Sequence, residues 1–99
     1  MHLSEKQKKH LRRHAHRLHP LVIVGNAGLT DGVVTELDRA LEDHELVKVS
    51  ARMGERGARN AGLEELARRT NAQLVQRVGH VGVFYRRGRR LAKILLPDE

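Results

Sequence analysis

The sequence predicts an α/β fold, a two-layer sandwich with a mixed four-stranded sheet, and three observations carry that expectation. Apolar spacing switches between helical and strand periods in the order helix, strand, helix, strand, helix, strand, strand. Strand–helix–strand units imply parallel neighbours joined by right-handed crossovers, whereas the last pair implies an antiparallel hairpin. Ninety-nine residues, 39% of them hydrophobic, suffice for one core and no more, so residues 1–99 are expected to form a single domain.

The elements follow in order. Ser4 through Leu18 reads as a helix: Ser4 caps it, Gln7 completes a capping box, and Leu11, Ala15 and Leu18 form one apolar stripe. Lys6, Lys9, Arg13, His16 and Arg17 fall on the opposite side, and His19-Pro20 ends the helix. Leu21 to Val24 is wholly apolar and mostly β-branched, which predicts a central strand covered on both faces. Gly25-Asn26-Ala27-Gly28 breaks it, and Thr30 caps a second helix with Asp31 in its first turn. That helix buries Val33, Leu37, Ala40, Leu41 and His44 and turns outward Thr35, Glu36, Asp38, Arg39, Glu42 and Asp43. Leu46 to Ala51 is a second strand. Met53 to Asn60 reads as a mobile loop or frayed helix start, and Ala61 to Thr70 as a third helix. Gln73 to Val78 and Val81 to Tyr85 are the third and fourth strands, a hairpin turning at Gly79-His80. A basic turn, Arg86-Arg87-Gly88-Arg89-Arg90, precedes an apolar stretch, Leu91 to Leu96, expected to add a short edge strand.

Charge narrows the function. Nineteen Lys and Arg face 12 Asp and Glu, a formal net charge of +7. Residues 1–20 carry six Lys or Arg, residues 21–50 six Asp or Glu against two cations, and residues 77–99 six cations again. Such segregation favours oriented docking on a polyanion, with RNA or DNA first on the list. No cysteine is present, which excludes disulfides, thiolate nucleophiles and sulfur-ligated metals, and no apolar run approaches a membrane span. No recognisable nucleophile–base–acid motif or metal-nuclease pattern appears, so no catalysis and no cofactor are expected, and a cytoplasmic location is. His10 and His14 are four apart on one helix, but a zinc site needs more ligands than they supply.

The Gly25–Gly28 turn is the most specific local feature. It follows a strand and precedes a helix, and the amides of Asn26, Ala27 and Gly28 form a candidate phosphate cradle. It lacks both the Walker lysine and the third glycine of a dinucleotide fingerprint. A paired-glycine loop is the device by which one class of RNA-binding domains clamps the nucleotide backbone, and here it sits just after the basic helix. Arg86, Arg87, Arg89 and Arg90 extend the candidate track. Aromatic stacking has little to work with: Phe84 and Tyr85 face opposite ways in one strand, and Trp is absent.

Leu3-Ser4-Glu5-Lys6-Gln7-Lys8, Ala15-His16, Gly25-Asn26-Ala27-Gly28-Leu29-Thr30, His44-Glu45-Leu46-Val47-Lys48-Val49 and Val83-Phe84-Tyr85-Arg86 occur in this order and spacing. On these segments the chain closely resembles the bacterial YhbY family of stand-alone CRM domains (chloroplast RNA splicing and ribosome maturation). The resemblance implies a fold similar to the C-terminal domain of translation initiation factor 3. It also implies binding to structured ribosomal RNA and association with precursors of the large ribosomal subunit, the glycine loop and adjacent basic surface being the contact. A monomer is the default. Two other readings remain: a ribosome-associated protein-interaction module using Glu36, Asp38 and Glu42 of the acidic helix, and a non-specific DNA-binding protein.

Overall fold

The computed structural model describes residues 2–89 and 92–98. It places seven elements in the expected order: α1 (Glu5–Ala15), β1 (Pro20–Val24), α2 (Asp31–His44), β2 (Leu46–Ala51), α3 (Arg56–Thr70), β3 (Gln73–Val78) and β4 (Val81–Tyr85). The four strands form one sheet in the order β1-β2-β4-β3, with β1 and β2 parallel and the other two pairs antiparallel. The first strand–helix–strand unit therefore yields parallel neighbours. The second does not, because β4 lies between β2 and β3. The tight turn at Gly79-His80, with Gly79 at φ +59°, returns β4 directly along β3, and β2 pairs with its other edge.

The helices lie on both faces of the sheet, which makes three layers where the sequence suggested two. Strand alternation shows how. Val22, Val24, Val47, Val49, Ala51 and Phe84 join Leu37 and Leu41 of α2 and Leu63 and Leu66 of α3 in one core. The intervening positions Leu46, Val83 and Tyr85 join Leu3, Leu11 and Ala15 in a second core beneath α1. An amphipathic stripe fixes which side of a helix is buried, not which face of the sheet receives it. Since both faces are covered at β4, Phe84 and Tyr85 are both buried.

β1 is an edge strand. Val22 and Val24 are buried, but Leu21 and Ile23 point to the α1 side, beyond the reach of that short helix, and are 55% and 52% exposed. A fully apolar run thus marks a strand with one covered face here. α1 itself stops at Ala15, three residues short of Leu18, which is 37% exposed and brings no burial that would hold another turn. α3 starts earlier than expected, at Arg56, and the Met53 side chain packs directly over Gly62, where any Cβ would collide with it.

Residues 92–98 form no strand. They are tied down by Glu45, whose side chain is fully buried although His44, expected to pack inward, is exposed. Glu45 follows α2 at φ +65°, a conformation costing a non-glycine residue roughly 1–2 kcal/mol. Its carboxylate accepts backbone N–H bonds from Gly88 (2.6 Å), Lys93 (2.8 Å) and Ile94 (2.9 Å), and its carbonyl accepts that of Arg86 (2.9 Å). Bonds to a charged acceptor are worth about 1.5–3 kcal/mol each, which outweighs the strain.

Candidate nucleic-acid interface

α1 is held by the reciprocal capping box foreseen in its sequence. Gln7 N–H donates to Ser4 Oγ (3.1 Å) and Ser4 N–H to Gln7 Oε1 (3.0 Å). Leu11 and Ala15 are buried against the sheet, and Lys6, Lys9 and Arg13 are exposed. His16 and Arg17 are exposed too, in the turn after the helix rather than on it. The second half of α1 overhangs the sheet, leaving a groove of about 510 Å³ lined by Lys9, Arg12, Arg13, Ala15, His16, Lys48, Gln76, Val78, Val81 and Val83. Lys48 arrives there by alternation: Leu46, Lys48 and Ser50 face α1, whereas Val47, Val49 and Ala51 face the other core. No carboxylate lines the groove. Among the described residues, Lys9, Arg12, Arg13 and Lys48 form no ion pair. Clustered cations on an apolar floor without counter-charges make a positive potential that only an outside anion can neutralise.

The Gly25–Gly28 loop sits at the end of β1 where Val24 pairs with Ala51. It is a tight turn closed by Gly28 N–H donating to the Gly25 carbonyl (3.0 Å), which in turn positions Thr30 N–H on the Gly28 carbonyl (3.0 Å). The Gly28 amide is therefore spent within the turn, and the candidate cradle reduces to Asn26 and Ala27, both exposed, whose amides meet no acceptor among the described residues. Thr30 Oγ1 already caps α2 by accepting the Val33 N–H (3.2 Å), and Asp31 beside it pairs with Arg69 (3.1 Å). The two glycines differ. Gly28 has φ +75°, which the turn itself requires. Gly25 has no such φ and open space where a Cβ would stand, so the fold makes no demand for glycine there.

The arginine-rich turn is elsewhere. Tyr85 pairs with Leu46, so residues 86–89 leave the sheet at the end opposite the glycine loop. Arg86 is largely buried and both its terminal nitrogens are occupied: Nη1 donates to Asp38 Oδ1 (2.7 Å) and the Thr70 carbonyl (2.8 Å), and Nη2 to the Asp38 carbonyl (3.0 Å) and Glu42 Oε1 (3.3 Å). Arg89 approaches the same Glu42 (3.2 Å). Arg87 is exposed beside Gln7 and the 92–98 segment. Arg90 lies outside the described residues, as does Leu91. The structure thus brings together Lys9, Arg13 and His16 over a groove that runs from mid-sheet, at Lys48, Gln76 and Val83, to Val78 and Val81 at the glycine-loop end, and separates Arg86, Arg87 and Arg89 from them.

Sequence reasoning passed over Arg12, Lys48 and Gln76. The signal for Lys48 was present: a lysine in the middle of Leu46-Val47-Lys48-Val49 says that one face of that strand is not sealed. His10 and His14 do meet, with ring centroids 4.8 Å apart, but no group of three or more His, Asp or Glu that could hold a metal occurs among the described residues.

Comparison with known proteins bears on this arrangement. A probable RNA-binding protein of Pseudomonas aeruginosa is 45% identical over 87 residues, covering 88% of this chain and 84% of that protein. An RNA-binding protein of Haemophilus influenzae is 43% identical over 95 residues, covering 96% of this chain and 95% of the other. The solution structure of a hypothetical protein from Staphylococcus aureus, described as a candidate RNA-binding protein, superposes with a TM-score of 0.83 at 32% identity, over 97% of this chain and all (100%) of that one. The model of the CRS1/YhbY (CRM) domain matches residues 3–86, which take in α1, the glycine loop, the whole sheet and Arg86. The chain belongs to the CRS1/YhbY (CRM) domain family.

Proposed function

We propose that this protein binds structured ribosomal RNA through its phosphate backbone and assists assembly of the large ribosomal subunit, acting in the cytoplasm as a monomer and without catalysis. The observation that carries the RNA contact is the groove under α1, where Lys9, Arg12, Arg13, His16 and Lys48 converge with no carboxylate among them. The names of the relatives, which describe RNA-binding proteins, support the same class of partner. The expected kinship with the C-terminal domain of initiation factor 3 and the ribosomal destination rest on the family resemblance.

Lysines and arginines along a helix suit phosphates spaced along a strand, and each phosphate neutralised releases counterions. With Phe84 and Tyr85 both buried, no Phe or Tyr ring is offered for stacking on bases, so shape and backbone geometry carry recognition. Gly25 belongs to the contact because the fold does not need it, whereas Gly28 shapes the turn. The alternative of a protein-docking acidic helix loses support from Asp38 and Glu42, which are engaged by Arg86 inside the molecule. The test is a Lys9→Glu/Arg13→Glu variant titrated with a transcript of large-subunit ribosomal RNA, with duplex DNA as competitor. The variant stays folded and binds the RNA at least roughly tenfold more weakly. Unchanged affinity, or equal competition by duplex DNA, contradicts the reading.

A further inference from the structure

A second cationic hollow opens at the glycine-loop end of the sheet, over the β3–β4 turn from the α1 groove. It is lined by Arg52, Gly54, Arg59, Gly79 and His80, from the β2–α3 connection, the first turns of α3 and the β3–β4 turn. Two backbone bonds hold these segments together: Ala51 N–H donates to the His80 carbonyl (2.7 Å) and Arg52 N–H to the Val24 carbonyl (2.8 Å). The second of these ties the hollow to the residue immediately before Gly25.

The side chains are arranged but not neutralised. Arg52 Nε donates to Ser50 Oγ (3.3 Å) and Arg59 Nη1 to the Gly54 carbonyl (3.3 Å), so each guanidinium is oriented by one neutral acceptor. Neither arginine forms an ion pair among the described residues, and no carboxylate lines the hollow. Arg59 Nε is shielded from solvent and has no hydrogen-bond partner among the described residues, an uncommon state for a guanidinium nitrogen. The two glycines keep the walls bare: both have positive φ, and a Cβ at Gly79 would stand in open space.

Two guanidiniums of unspent fork geometry beside an exposed imidazole form a receptor for a tetrahedral oxyanion. We infer that the hollow formed by Arg52, Arg59 and His80 holds a phosphodiester of the bound RNA, separate from the phosphates met by α1 and the glycine loop. Because the Arg52 amide is bonded to the strand end from which the glycine loop departs, the hollow and the loop can follow one RNA backbone around that end of the sheet. The inference rests on the RNA-binding reading above.

The experiment measures the affinity of an Arg52→Gln/Arg59→Gln variant for a transcript of large-subunit ribosomal RNA at several salt concentrations. The terminal phosphates of the transcript are removed, so that only internal diesters remain. The variant is expected to bind roughly three- to tenfold more weakly near physiological salt, with the slope of log affinity against log salt reduced by about one. A thermal melt controls for folding. Arg52→Gln/His80→Asn, which alters only exposed side chains, repeats the test should loss of the Arg59–Gly54 bond disturb the loop. Unchanged slope and affinity in both variants overturn the hollow. If Lys9→Glu/Arg13→Glu still loses affinity under the same conditions, the RNA-binding reading survives that failure. If that variant also binds normally, the reading itself has failed.

Discussion

The two ends of the sheet use the same residue type in opposite ways. From the middle of the sheet to its glycine-loop end, Lys9, Arg12, Arg13, Lys48 and Arg52 meet no carboxylate among the described residues. At the other end, Arg86 is gripped by Asp38, Glu42 and two carbonyls, Arg89 approaches Glu42, and the buried Glu45 gathers three backbone amides from the C-terminal segment. β2 runs six residues from Leu46 to Ala51 between the two ends, a span of roughly 17 Å at about 3.3 Å per residue. An arginine cluster in a basic chain is therefore not automatically a binding surface. What decides is whether the fold supplies counter-charges, and here one end is consumed in stability while the other is left for a partner.

The largest expected effect is at the stabilising end. Glu45→Ala orphans the amides of Gly88, Lys93 and Ile94 and should cost about 3 kcal/mol or more, read as a lowered urea midpoint. Arg86→Met leaves Asp38 and the Thr70 carbonyl without their partner, and Glu42 with Arg89 alone, and should cost roughly 2–3 kcal/mol by the same measurement, with RNA affinity per folded molecule unchanged within about twofold. An Arg86→Met protein that is fully stable but binds RNA poorly would reverse the assignment of the two ends.

Gly28→Val and Gly25→Val sharpen the comparison at the other end. The positive φ of Gly28 predicts a loss of about 1 kcal/mol on substitution, whereas Gly25→Val should leave stability within about 0.5 kcal/mol yet weaken RNA binding. Normal binding by folded Gly25→Val would reduce the loop to architecture. The smallest effect concerns Tyr85, whose hydroxyl is buried without a partner among the described residues. Burial raises its pKa above the ordinary 10.0, the Glu45 charge adds to this and Arg87 opposes it. The stability contributed by the neutral phenol is complete below the unfolded pKa and is lost as the pH rises through the folded one. Tyr85→Phe should therefore be neutral or slightly stabilising at pH 7, and the difference between variant and parent should widen in favour of phenylalanine above about pH 10. An unfolding midpoint that falls as steeply in the phenylalanine variant would show that the phenol contributes nothing.

What could be read from the chain was mostly local. The Ser4–Gln7 capping box, the Thr30 cap, the bounds of β2, β3 and β4 and the Gly79-His80 turn depend on residues within a few positions of one another. The exposed basic side chains of α1 followed from its apolar stripe. What escaped depends on distant partners. Arg86 finds Asp38 across 48 positions, and the amides that Glu45 collects lie 43 to 49 residues downstream, so nothing beside either residue announces its role. The apolar run Leu21 to Val24 gave no hint that β1 is an edge, because exposure of Leu21 and Ile23 results from the shortness of α1, not from their own chemistry. Lys48 signalled an unsealed face of its strand, but that this face meets α1 became legible only in the structure, as did the place of Arg52 just beyond β2.

The most direct test compares two variants that each remove two positive charges. Lys9→Gln/Arg13→Gln takes them from the open groove, and Arg86→Gln/Arg89→Gln from the paired end. Both are titrated with the same large-subunit ribosomal RNA transcript across a salt series, at a temperature where circular dichroism shows both folded. The account predicts that the first variant loses roughly tenfold in affinity and about two units of salt slope, while the second keeps the affinity and slope of the parent within about twofold. Equal losses in the two variants would mean that net charge alone drives binding, and would contradict the division of labour between the two ends of the sheet.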